Sequence, residues 1–197
     1  DPLHFPAKAK RVIFLCMAGG PSHLETFDFK PKLAELAGKP MPDSYTKGQP
    51  IAQLQGKELT CMAPHYAFDR HGESGQEISR VFKHIPEIAD DICIIRSMKT
   101  EAINHDPAMT FFQTGFQIAG RPSMGAWVSY GLGSMNRDLP AFVALSSRGT
   151  GRPSCQPLYD RLWGSGFLPS VHQGVKFRGS GDPVLYLRSE EHTSELH

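Results

Sequence analysis

Apolar positions along this chain fall into short continuous runs separated by long polar, glycine- and proline-rich stretches. Residues 11–17 read RVIFLCM, a β-prone run with no polar alternation. Continuous rather than alternating hydrophobicity predicts a strand buried on both faces, as in a parallel sheet. The run ends at Ala18-Gly19-Gly20-Pro21-Ser22, a tight strand-to-loop turn with Ser22 placed to cap a helix. Residues 29–69 show little periodicity and predict a long excursion containing a short helix near residues 31–36. Residues 75–90 carry Ile78, Val81, Phe82, Ile85 and Ile88 at three-and-four spacing. That spacing predicts a helix, kinked or shortened at Pro86.

A second buried strand is expected over residues 92–95 (ICII), followed by Arg96-Ser97-Met98 and a loop to Asn104-His105-Asp106-Pro107. Pro107 suits the first turn of a helix running to about Gln113 and stopping at Thr114-Gly115. Another helix is predicted over residues 124–135, with Trp127, Val128 and Leu132 turned inward. Residues 141–145 (AFVAL) predict a third buried strand, residues 158–163 a short helix and residues 184–187 a short strand. Strands alternating with helices predict an α/β fold, a mainly parallel sheet flanked by helices. Such sheets place their sites beyond the carboxyl ends of strands, which singles out the loops after Met17 and after Ile95. The reading requires those two loops to converge on one side of a common sheet.

Composition narrows the function classes. The 197 residues are 40% hydrophobic and 21% charged, ordinary for a globular domain with a real core. The net charge of +1 gives no electrostatic case for nucleic acid or an anionic membrane. Lys8, Lys10 and Arg11 read as a solvated flank to the first strand. No apolar run is long enough to span a bilayer, so no transmembrane segment is expected. Cysteines stand at positions 16, 61, 93 and 155 with no CxxC pair, against a zinc knuckle or a thioredoxin-like motif. Cys16 and Cys93, inside apolar runs, are expected to be buried free thiols. Cys61 and Cys155 fall in loops and are not expected to pair.

Two constellations carry candidate chemistry. The first is Ser22-His23-Leu24-Glu25-Thr26-Phe27-Asp28, where one imidazole and two carboxylates follow a small-residue turn. His23, Glu25 and Asp28 are suited to zinc, manganese or magnesium. The same residues also read as a helix start, with Ser22 the cap, Glu25 completing a capping box and His23 simply exposed. The second is Asn104-His105-Asp106-Pro107 at a helix N-terminus, a natural place for an anion. There His105 is a candidate nucleophile, general acid/base or metal ligand, while Asn104 or Asp106 alternatively only caps the helix. Arg96 follows a strand end and is placed to pair with an anion. Arg121, His172 and the loop Arg70-His71-Gly72-Glu73 read as surface residues. A sulfatase nucleophile motif is not met: Cys155-Gln156-Pro157 shares only the Cys and Pro of Cys-x-Pro-Ser-Arg. Neither a Gly-x-Ser-x-Gly elbow nor a P-loop occurs.

The run VIFLCMAGGPSHLETFDFKPKL (residues 12–33) resembles the opening of the bacterial family called domain of unknown function 1501. So do RSMKTEAINHDPAMTFFQTG (residues 96–115), RPSMGAWVSYGLGS (residues 121–134), LPAFVAL and QPLYDRLWGSGFLPSVHQGVKFRGSGDPVLYL. The likeness runs in order over nearly all of residues 5–187. Glu25 stands where the family pattern leads one to expect Asp. The resemblance implies an alkaline-phosphatase-like or sulfatase-like fold, incomplete here. It further implies an exported, periplasmic or secreted protein whose export signal precedes Asp1, so that residues 1–10 act as a linker and residues 11–187 as the N-terminal part of the domain. Aligning Thr114-Gly115 with the end of the alkaline phosphatase nucleophile helix puts His105 at the nucleophile position. The strand-end metal-binding Asp of that superfamily has no equivalent, since Met17-Ala18 stands there. The resemblance also puts the later metal ligands of the superfamily beyond Leu187, so this segment alone is expected to be inactive.

Residues 188–196, RSEEHTSEL, are similar to the conceptual translation of a sequencing adapter. Residues 188–197 are therefore expected to be an artefact, and His192 and His197 are excluded from site arguments. The expectations for function are two. One is a metal-dependent hydrolase of phosphate or sulfate esters, acting on a small-molecule or glycan ester, with His105 catalytic. It has His23, Glu25 and Asp28 toward a divalent metal and Ser22, Asn104 and Arg96 toward substrate. The other is a non-catalytic exported protein on the same fold that binds polysaccharide or a cell-surface partner.

Overall fold

The computed structural model describes residues 6, 8–48, 56–146 and 158–178, which form two compact units. The first is built from described residues of Asp1–Gln49 and Gly56–Met98, the second from those of Lys99–His197.

In the first unit, a 3-10 turn over His23–Glu25 leads to helix α1, Pro31–Leu36. Helix α1 falls where the sequence predicts it, with Pro at its first positions because proline's missing N–H costs nothing there. A one-turn helix α2 covers Asp43–Thr46. An isolated antiparallel bridge joins Pro40 to Thr60, and Cys61 is buried beside it.

The centre of the first unit is a hairpin of β1, Phe68–His71, and β2, Gln76–Ser79. The strands are antiparallel, with Phe68 opposite Ser79 and His71 opposite Gln76. This corrects the helix expected over residues 75–90. Its three-and-four spacing is real, but β2 occupies the first part and a 3-10 turn, Ile85–Ile88, the last. A hairpin loop with positive φ at Gly72 (68°) and Gly75 (63°) turns the chain back instead. Ile78 is fully buried, and the amide of the equally buried Ser79 donates to the Thr26 carbonyl at 2.9 Å. Phe27 stacks on Phe82 with centroids 4.8 Å apart, and Phe29 meets Phe68 at 5.0 Å.

Two predicted strands of this unit are not formed. Residues 11–17 join no ladder and are exposed: Ile13 keeps 86% and Leu15 87% of its accessible surface. Residues 92–95 likewise join no ladder, and Ile95 is exposed. A strand is stabilised by a neighbour, and apolar content alone supplies none. Cys16 and Cys93, expected to be buried, are exposed for the same reason.

In the second unit, helix α3 spans His105–Thr114 and ends at Gly115 in the left-handed conformation, φ 75°. The expected stop at Thr114-Gly115 is thus met. Helix α4 spans Met124–Leu132, and the buried Ser123 caps it by accepting from the Ala126 amide at 3.4 Å. The inward face of α4 differs from expectation. Ala126 and Ser129 are buried, while Trp127, Val128 and Leu132 are exposed. Small residues face inward because the chain packs close: the Phe142 ring fills the space that a side chain on Gly125 would need.

Strand β3, Val143–Leu145, pairs in parallel with β4, Val175–Phe177. β3 lies within the run predicted as a strand, but it is not buried: Leu145 is 78% exposed. A two-stranded pair leaves an edge on each strand and covers neither face. A 3-10 turn at Asp160–Leu162 falls inside the short helix expected over residues 158–163. Another covers Ser170–His172. The core of this unit is Met109, Thr110, Pro122, Ala126, Leu162 and Trp163. The strand expected over residues 184–187 lies outside the described residues, as does Cys155. Among the described residues, no helix is long and apolar enough to cross a membrane.

Candidate functional site

The two constellations belong to different units. In the first unit, Ser22 is exposed at the start of the 3-10 turn and its side chain makes no capping bond. Thr26, at the other end of the turn, donates its hydroxyl back to the Ser22 carbonyl at 2.9 Å, which leaves the leading amides uncapped. The capping box therefore does not form. Glu25 turns away to the 65–66 segment, where its two carboxylate oxygens each accept the His65 amide at 3.1 Å and one also accepts the Tyr66 amide at 3.4 Å. A carboxylate receiving backbone N–H groups in this way ties two distant loops together. Asp28 accepts from Lys30 at 2.7 Å. His23 is exposed.

Among the described residues, no group of three or more His, Cys, Asp or Glu side chains is placed to hold a metal ion. Glu25 and Asp28 already have amide and ammonium partners, so the set His23, Glu25 and Asp28 does not fit a metal as it stands.

In the second unit, the N-terminus of α3 is more open to chemistry. Asn104 is the N-cap with φ −104° and ψ 154°, yet its side chain makes no capping bond. Its carbonyl accepts from the Ala108 amide at 3.1 Å, and Pro107 has no N–H to offer. The leading N–H groups of a helix have no partner within it and carry the positive end of its dipole. His105, the first helical residue, is exposed there.

Asp106 does not cap the helix through its side chain. Its carboxylate is paired with the Arg161 guanidinium. Arg161 also donates from Nε to the Thr110 hydroxyl at 3.2 Å, and its guanidinium lies 4.1 Å from the Tyr159 ring centre. Thr110 is fully buried and donates in turn to the Asp106 carbonyl at 3.0 Å. Arg161 therefore clamps the first turn of α3. Sequence reasoning missed it, since nothing in the 158–163 segment marks a partner 55 residues away.

His172, read from sequence as a surface residue, is half-buried. Its Nδ1 is 3.0 Å from the Ser129 hydroxyl, and the Tyr130 ring meets it edge-on at 5.4 Å. Arg121 stacks on Phe116, 4.2 Å from the ring centre. Arg96 is exposed and lines an open cleft against the β1–β2 hairpin.

An imidazole on an uncapped helix start, with a clamped first turn beneath it, can receive an oxyanion and exchange a proton with it. The chain belongs to the family described as protein of unknown function (DUF1501), whose sequence profile matches residues 9–196. No curated protein and no solved structure matches the chain significantly.

Proposed function

We propose that this chain is part of an exported, metal-dependent hydrolase of phosphate or sulfate esters, with His105 as the reacting imidazole. The observation that carries the proposal is the start of α3. His105 is exposed beside helix amides that no side chain caps, and the Arg161–Asp106 pair fixes the turn it stands on. An ester oxyanion would be drawn to the helix start while the imidazole either attacks the phosphorus or sulfur, with the ester's alkoxide leaving, or passes a proton to that leaving oxygen. Aligning Thr114-Gly115 with the end of the alkaline phosphatase nucleophile helix, which puts His105 at the nucleophile position, supports the same assignment. Asn104, directly before His105, is assigned to substrate; Ser22 and Arg96 belong to the other unit. A divalent ion would polarise the ester and stabilise developing charge. The described residues do not gather a centre for it, so it enters the proposal only through ligands beyond them.

A second reading has its own observation. Glu25 and Asp28 spend their carboxylates on the His65 and Tyr66 amides and on Lys30. Structural use of these groups favours a protein that binds polysaccharide or a cell-surface partner without turnover.

The test uses a full-length family protein containing this segment. Hydrolysis of p-nitrophenyl phosphate and p-nitrophenyl sulfate is measured alongside elemental analysis. The hydrolase reading expects stoichiometric zinc, manganese or magnesium, and a loss of about a hundredfold or more in kcat/KM for His105→Ala. A folded, metal-free protein inert toward both esters would sink it and leave the binding reading.

A further inference from the structure

We infer that the cleft between the β1–β2 hairpin and residues 94–97 is an oxyanion-binding site in which Arg70 and Arg96 hold a sulfate, phosphate or carboxylate group. This site lies wholly within the first unit and does not rest on the hydrolase reading.

The cleft is open, spans about 650 Å³ and is lined by Arg70, Ser74, Glu77, Ile94, Arg96 and Ser97 among others. Two guanidinium groups share it with one carboxylate. The β1–β2 register sets Arg70 opposite Glu77, yet the Glu77 oxygen stands 3.9 Å from Arg70 Nε, beyond hydrogen-bond reach. Arg80, by contrast, is bound bidentately by Asp69 at 2.6 and 2.9 Å. Arg96 has no carboxylate partner among the described residues. Both lining arginines therefore keep most of their fork of donors unspent.

An oxyanion matches that donor set. The hydroxyl of Ser97 adds a neutral donor to the same walls, whereas the Ser74 hydroxyl is engaged by Asp90. Ile94 and Ile95 supply an apolar flank for the organic body that carries the anion. Glu77 opposes the ligand and makes the site weaker than two free arginines would be. Removing its charge is expected to strengthen binding, which a generic basic patch would not single out.

The test titrates the whole chain with inorganic sulfate, inorganic phosphate and acetate, each at constant ionic strength, following arginine side-chain resonances by NMR. Saturable binding of at least one anion is expected, weakened about tenfold by Arg96→Gln or Arg70→Gln. Arg96→Lys should weaken it by a smaller factor, since lysine keeps the charge but loses the fork. Glu77→Gln should tighten it, and Arg137→Gln, an exposed arginine of the other unit, should leave it unchanged. Circular dichroism confirms that each variant keeps the wild-type fold, and Arg96, outside any helix or strand, is the variant least tied to folding. The inference is overturned if folded wild-type protein binds none of the three anions saturably. It is overturned equally if Arg137→Gln weakens binding as much as Arg96→Gln, the mark of an adventitious ion only. Because the readout is binding, failure of ester hydrolysis leaves this result untouched.

Discussion

The backbone of Gly72 lies directly against the carboxylate of Asp90, in space that any side chain on residue 72 would occupy. The contact closes the hairpin loop, because Asp90 accepts the Glu73 amide at 2.9 Å and the Ser74 amide at 3.0 Å. Gly72→Ala meets both a left-handed backbone, φ 68°, and the Asp90 oxygens. A loss of about 1–2 kcal/mol is expected from the backbone conformation alone, with displacement of Asp90 added to it. Urea denaturation of the purified chain measures it. An unchanged midpoint would show that the loop does not close as described.

The same carboxylate predicts an acid limb in stability. The Ser74 amide first, then the Glu73 amide and the Ser74 hydroxyl, hold Asp90 below its ordinary value of 3.8. The folded chain therefore takes up this proton less readily than the unfolded one. The stabilisation is fully present above the unfolded pKa and is lost as pH falls through the lower folded value. Asp69, held down by its hydrogen bond from Arg80, has the same sign. Asp90→Asn should flatten only part of the decline in denaturation midpoint below about pH 4, because Asp69 contributes with the same sign. A direct NMR titration placing the Asp90 carboxyl at or above 3.8 would contradict this.

Arg161 ties the 158–163 segment to α3 through Asp106 and the buried Thr110. Arg161→Ala should cost about 1 kcal/mol, since the pair is partly exposed and the Thr110 hydroxyl keeps its bond to the Asp106 carbonyl. Arg161→Lys should not restore it, because an ammonium cannot reach both groups as a fork does. A double-mutant cycle with Asp106→Ala isolates the pair. Coupling indistinguishable from zero would mean that the clamp contributes nothing.

Thiol accessibility offers an inexpensive test of the two apolar segments that join no strand ladder. Cys16 and Cys93 are exposed and Cys61 is buried. Under native conditions the first two should react with iodoacetamide at rates near those of the unfolded chain, and Cys61 far more slowly. Peptide mapping by mass spectrometry assigns each rate. Protection of Cys16 would restore the buried strand expected from the RVIFLCM run.

Signals carried by a single residue and its immediate neighbours were legible in the sequence. Proline opening α1 and glycine closing α3 are such signals, since φ restriction and left-handed backbone need no distant partner. What depends on distant neighbours was hidden. Ile78, Val81, Phe82, Ile85 and Ile88 fit a helical stripe, yet the pairing of residues 76–79 with residues 68–71 decided their conformation. Of the site, the placement of His105 at a helix start was readable from Asn104-His105-Asp106-Pro107. The engagement of Glu25 with residues 40 and 41 positions further on was not, nor was the Arg161 clamp.

The segment Val12–Met17 turns a failed strand into a handling property. Six apolar residues with no proline, Ile13 and Leu15 among them almost wholly exposed, are a seed for intermolecular stacking into fibrous or amorphous precipitate. Lys8, Lys10 and Arg11 stand immediately upstream as charged gatekeepers. Replacing Lys10 and Arg11 by serine should lower the soluble yield sharply, whereas a charge placed at Ile13 should raise it.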